Sequence, residues 1–194
     1  MVEAGTRAAR AIRKAQGQES RAAHILAAAA DLLDEAGTSS LTMRAVAARA
    51  GYTAGAVYSY FASKEALLAA MAVEELDQLA KTMRQEEDGL EAQASVCTQA
   101  LHRVGPLLIA AHRGDVPEAT ERALTGRIIA ILRLIDRGVG AGGRRSDDAN
   151  SQALDTIALW CGLVGLAQLS TSGRLASLDV DDTDVASALI ARYT

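Results

Sequence analysis

Aromatic side chains are scarce: one phenylalanine, one tryptophan and four tyrosines in 194 residues, or 3%. Strands draw on aromatic and β-branched residues at alternating positions, and such runs are few here, which argues against a sheet protein. Proline is rarer still, with two copies, whereas alanine and leucine dominate a 49% apolar composition. That mixture favours helix throughout. The two cysteines, Cys97 and Cys161, lack CxxC spacing and lie in apolar surroundings, so they read as small buried hydrophobes. Only three histidines occur, His24, His102 and His112, and none stands in a metal-ligand or triad arrangement. With no glycine-rich phosphate loop either, an enzyme, a resident metal and a cofactor are not expected. The best apolar run, Ile157 to Leu169, contains Gly162, Gly165 and Gln168 and is too short to span a bilayer. No signal-like apolar segment opens the chain, so a cytoplasmic protein without a membrane partner is expected.

What is present is distributed unevenly. Residues 1–64 carry eight Lys/Arg against five Asp/Glu, and residues 65–194 carry twelve against nineteen. The total of −4 therefore divides into +3 and −7. A basic segment attached to an acidic remainder can meet a polyanion despite the overall sign.

Residues 1–18, basic and alanine-rich, are expected to be mobile. A first helix follows over 19–37, with Ser20 as its cap, Ile25, Ala29, Leu32 and Leu33 at core spacing, Gly37 as its stop and His24 on its solvated side. Thr42 can cap a short helix from Met43 to Ala50, and Thr53 a second from Ala54 to about Tyr60, with Gly51 in the turn between them. Two short helices joined by a glycine-containing turn form a helix-turn-helix pattern, which two ordinary core helices would share. Ser63 caps a long helix to about Gln85, and 86–89 is a break. Further helices are expected at 91–112, kinked or split at Gly105-Pro106, at 118–138 after Pro117, at 150–170 and at 179–193. Residues 138–148 are expected to be the most flexible internal stretch.

Three of the four tyrosines and the single phenylalanine fall within residues 51–68, "GYTAGAVYSYFASKEALL". In a helix-turn-helix the second helix enters the major groove by its N-terminal end. That places Thr53, Ala54, Gly55, Ala56 and Tyr58 toward DNA, with Tyr60 and Lys64 suited to phosphate and Thr42 and Arg44 on the bracing helix. Gly55 costs roughly 0.5–1 kcal/mol of helix stability relative to alanine, so close approach of a partner or tight internal packing must explain it. Phe61 and Val57 read as the module's core.

Residues 41–68, "LTMRAVAARAGYTAGAVYSYFASKEALL", resemble the DNA-binding signature of the TetR family of bacterial transcriptional regulators. Thr42, Val46-Ala47, Ala50-Gly51, Gly55, Val57-Tyr58, Tyr60-Phe61 and Ser63-Lys64-Glu65 stand at matching positions. The resemblance covers about residues 20 to 68. It implies a homodimer on a double-stranded palindromic operator and a C-terminal domain that binds a small molecule and changes DNA affinity; most members repress. The alanines at 54 and 56 leave Arg44, Tyr52 and Thr53 as the sources of base specificity.

The expectation is an all-α chain: a three-helix helix-turn-helix DNA-binding domain at 19–64, then an effector-binding and dimerisation domain at 65–194. Met83, His102, Trp160 and Gln168 are the candidate pocket residues, and their apolar surroundings suggest a small, largely apolar effector. The alternative is a helical protein-interaction module without DNA binding.

Overall fold

The computed structural model describes residues 2–85, 90–112, 114–141 and 149–193. It is helical, as the composition dictates, and it divides into two compact units, Met1–Leu67 and Leu68–Thr194.

The first unit opens with α1, Val2–Ser40. Residues 2–18 are helical, because an alanine-rich stretch without proline has no local reason to leave the helix. Ser20 consequently lies inside α1 and is not its cap. Gly37 does interrupt the helix, at φ 72° and ψ 178°, a conformation that glycine adopts without the penalty a Cβ would bring. Next come α2, Met43–Arg49, and α3, Ala54–Tyr58. Thr42 and Thr53 cap them as expected, each hydroxyl accepting from the backbone N–H three residues on (Ala45 at 3.1 Å, Ala56 at 3.2 Å). Gly51 turns the chain between them at φ 71°. Ile25 and Ala29 of α1, Val46 of α2 and Val57 of α3 are buried completely, with Phe61 beside them in the sequence at 9% exposure. Each large apolar side chain so buried contributes roughly 1.5–3 kcal/mol, enough together to hold helices too short to stand alone.

Helix α4, Lys64–Gln85, starts where Ser63 accepts from the Ala66 N–H at 3.0 Å, and the division between the units falls inside it. In the second unit, α5 (Leu90–Ala111) packs on α7 (Ala149–Thr171), and α6 (Glu118–Ala141) packs on both. The short α8, Asp182–Ile190, follows a 3-10 turn at Ala176–Leu178 and lies against α5 and α7. Leu76 and Met83 of α4, Leu101 and Leu107 of α5, Ile131 and Ile135 of α6, and Leu159 and Leu163 of α7 form the interior. Two ion pairs fasten α4: Arg103 to Glu75 at 3.0 Å from α5, and Arg127 to Asp77 at 3.1 Å from α6.

Several expectations are corrected. Helix α5 passes through Gly105-Pro106 as one element. Helix α6 runs three residues beyond 138, to Ala141. Helix α8 begins at Asp182, capped by Asp181, which accepts from the Thr183 N–H at 2.7 Å; the preceding residues turn through Asp179, whose φ is 56°. Cys97 is buried, but Cys161 is exposed. The break expected at 86–89, and residues 142–148 of the flexible stretch expected at 138–148, lie outside the described residues. Finally, the whole of Asn150–Thr171, and not only its central run, is apolar and long enough to cross a membrane by composition, yet only 28% of its most apolar window is buried inside the chain.

Candidate nucleic-acid interface

The residues assigned to DNA all lie on or beside α2, α3 and the first turn of α4. Thr42, Arg44, Thr53, Gly55 and Tyr58 are exposed, Tyr58 at 51%; Tyr52, Tyr60 and Lys64 are half-buried. Thr42 and Thr53 spend a lone pair on their own helix ends, which fixes the hydroxyls at the helix N-termini that a phosphate would approach. A Cβ built on Gly55 would meet nothing within 4 Å. Internal packing therefore does not explain the glycine.

Two contacts from α1 lay beyond the reach of sequence reasoning. His24, placed on a solvated face, is exposed but not idle: its Nε2 lies 3.2 Å from the Ala50 carbonyl, at the C-terminal end of α2. Its ring also meets Tyr52 edge-on, with centroids 6.0 Å apart and planes at 82°. This pair anchors the turn from α1 and steers Tyr52, the aromatic that could have packed or faced outward. Arg21, one turn earlier, interacts with the Tyr60 hydroxyl and more weakly with Tyr52, and both raise its pKa above the ordinary arginine value. The Tyr60 hydroxyl thus has a cation beside it, an arrangement suited to sharing a phosphate oxygen. No local signal reveals either contact, since the partners are 26 or more residues apart.

Across the same unit, the Arg49 guanidinium forks onto Glu35 with bonds of 3.0 and 2.5 Å. That hydrogen bond holds the exposed Glu35 carboxyl below its usual range. Arg49 is committed to bracing α2 against α1, whereas Arg44 stands at an exposed position on the same helix.

Of the effector candidates, His102 lines a pocket between α5 and α8. Met83 is buried, with its sulfur 3.5 Å from the Cys97 thiol. Trp160 is half-buried and Gln168 is exposed, both on α7. These four do not share one cavity wall in the α5/α8 pocket. Among the described residues no cluster of His, Cys, Asp and Glu could hold a metal ion.

The sequence profile of bacterial regulatory proteins of the tetR family matches residues 25–71, the segment that holds the two capped helices. Curated proteins provide no match to the chain. Solved structures provide several. A TetR transcriptional regulator from Rhodococcus sp. RHA1 is 23% identical, with a TM-score of 0.61 over 90% of this chain and 94% of that one. A TetR transcription regulator from Haloarcula marismortui is 20% identical, with a TM-score of 0.62 over 90% and 96%. The transcriptional regulator FadR from Bacillus subtilis, crystallised with stearoyl-CoA, is 15% identical, with a TM-score of 0.58 over 88% and 96%. At these identities the likeness is one of fold, and it extends over nearly the full length of each relative. The chain has the TetR-family regulatory fold, with the family's N-terminal module at residues 25–71.

Proposed function

We infer that this chain is a cytoplasmic, ligand-responsive transcriptional repressor that binds a palindromic operator as a homodimer. The observation that carries the reading is the open space over Gly55 between exposed Thr53 and Tyr58, at the N-terminal end of the second helix of a helix-turn-helix. Nothing inside the chain requires that gap, and a DNA backbone or groove wall fits it. Thr42, Tyr58, Tyr60 and Lys64 serve phosphates, with Arg21 joining Tyr60; Arg44, Tyr52 and Thr53 supply base specificity.

Helix α7 supports the dimer. A helix apolar on all sides is buried in its surroundings or spans a membrane. Here Leu154, Ile157, Ala158, Cys161, Gly165 and Leu169 form an uncovered stripe at helical spacing, with Leu154 58% and Ile157 48% exposed. Small residues in the stripe let a second α7 approach closely around a two-fold axis. A dimer places two recognition helices about 34–36 Å apart, one helical turn of DNA. Effector binding in the second unit favours a state in which that spacing is lost, so the operator is released. Helix α4 is the physical connection, being continuous from Lys64 and pinned at Glu75 and Asp77 by arginines of α5 and α6.

Selection of duplexes from a random pool by the full chain tests the reading. Recovery of an inverted repeat with half-sites one helical turn apart supports it. Recovery of no enriched sequence would favour a helical interaction module without DNA binding.

A further inference from the structure

The pocket between α5 and α8 has a volume of about 450 Å³, within the ~300–1,000 Å³ range of ligand sites. Its α5 wall is unusual for a helix turned toward a neighbour. Ser95, Thr98, Gln99 and His102 recur at i, i+3, i+4 and i+7, the spacing at which a packed helix carries apolar side chains. Asp182, Thr183 and Ser187 face them from α8, while Ala92, Ala186 and Ile190 supply an apolar remainder.

The polar groups do not complete one another. Thr98 donates its hydroxyl to the Ala94 carbonyl at 2.9 Å, within its own helix. Asp182 Oδ2 accepts from Ser170 at 2.9 Å, and its Oδ1 has a long contact from Thr183 at 3.5 Å. His102 Nε2 lies 3.3 Å from Asp182 Oδ2, but without hydrogen-bond geometry, and this buried nitrogen has no hydrogen-bond partner among the described residues. Polar groups withdrawn from water without partners are unfavourable, so the wall is understandable if a bound molecule supplies them.

The sign of that molecule follows from the charges. Among the described residues no lysine or arginine lines the pocket; Asp182 is its carboxylate, and Asp181 and Asp184 flank it in the sequence at the start of α8. A bare helix N-terminus attracts anions, but this one already carries its own acids.

We propose that the α5/α8 pocket binds a small molecule that has an apolar body, donates hydrogen bonds through hydroxyl or amine groups, and carries no negative charge. This deepens the regulator reading and rests on it only for calling the molecule an effector. The apolar body agrees with the largely apolar effector expected from composition; the donors are what the pocket adds.

Benzylamine, benzyl alcohol and benzoate share a ring and differ in charge and donor, so they are suitable probes. Calorimetric and ligand-detected NMR titration of the full, DNA-free chain at millimolar probe should detect the amine and the alcohol. Benzoate should bind at least about tenfold more weakly than benzylamine, as expected for a charge-assisted hydrogen bond. Asp182→Asn should remove the amine's advantage over the alcohol, and Gln99→Leu, on the exposed rim, should weaken both. Circular dichroism checks that each variant is folded. Benzoate binding as tightly as benzylamine, no probe binding, or wild-type binding in both variants would each overturn the proposal. Operator binding is measured separately: a chain that binds DNA but no probe loses only this pocket, and one that binds probes but no DNA loses only the regulator reading.

Discussion

A Cβ added at Gly55 would meet no atom of the chain within 4 Å, so Gly55→Ala separates folding from DNA recognition. The substitution should stabilise the free protein by roughly 0.5–1 kcal/mol, through helix propensity and a less flexible unfolded chain. It should also weaken operator binding. Paired thermal melts and DNA titrations check this, and an alanine variant with undiminished DNA affinity would remove the close approach assigned to this position. Cys97 gives a second residue-scale test. Burial pushes its thiol from an ordinary value of 9.0 up to about 12. Between those values the folded state keeps a proton that the unfolded chain releases, so the stability associated with the neutral thiol is intact below pH 9 and declines as pH rises toward 12. Denaturant melts across the alkaline range should show that decline, flattened in Cys97→Ala. Cap residues at this scale were legible beforehand: Thr42, Thr53 and Ser63 act within three residues of themselves, and local sequence encodes local bonds. His24 was not, because its acceptor, Ala50, arrives only when α1 and α2 pack.

At the scale of elements, α7 differs most from what its pattern promised. Its apolar character was plain, but which side the chain itself covers depends on how α5, α6 and α8 settle around it. Cys161 therefore reads as buried from its neighbours in sequence and is exposed in the fold. Replacing Ile157, 48% exposed, by glutamate should leave the monomer's helicity intact, since the side chain lies outside the fully buried interior. If the stripe meets its copy, two charges are then brought together in a desolvated seam, which is strongly unfavourable. Analytical ultracentrifugation should show wild-type dimer and Ile157→Glu monomer. A variant that remains dimeric would move the interface off α7. The continuous passage of α5 through Pro106 belongs here too. Proline's intrinsic cost in a helix interior, ~3 kcal/mol or more, is offset by tertiary packing of the buried neighbours Val104 and Leu107, a balance that sequence does not display.

For the whole molecule, the all-α class was readable from alanine, leucine and the shortage of aromatics, and the position of the helix-turn-helix from its caps and turn glycine. The eight residues assigned to DNA lie on or beside α2, α3 and the start of α4, but Arg21 joins them only through the fold. The acidic second unit would repel DNA at long range, so the proposed binding rests on the contacts of the first, and their number can be counted. Fluorescence anisotropy of a labelled, selected operator duplex, titrated with the chain at several salt concentrations, counts them. The logarithm of affinity should fall linearly with the logarithm of salt, with Lys64→Ala lowering that slope by about one and Tyr58→Phe weakening binding evenly across sequences. Salt-independent binding, or wild-type affinity and slope in both variants, would contradict the assignment of this module to DNA phosphates.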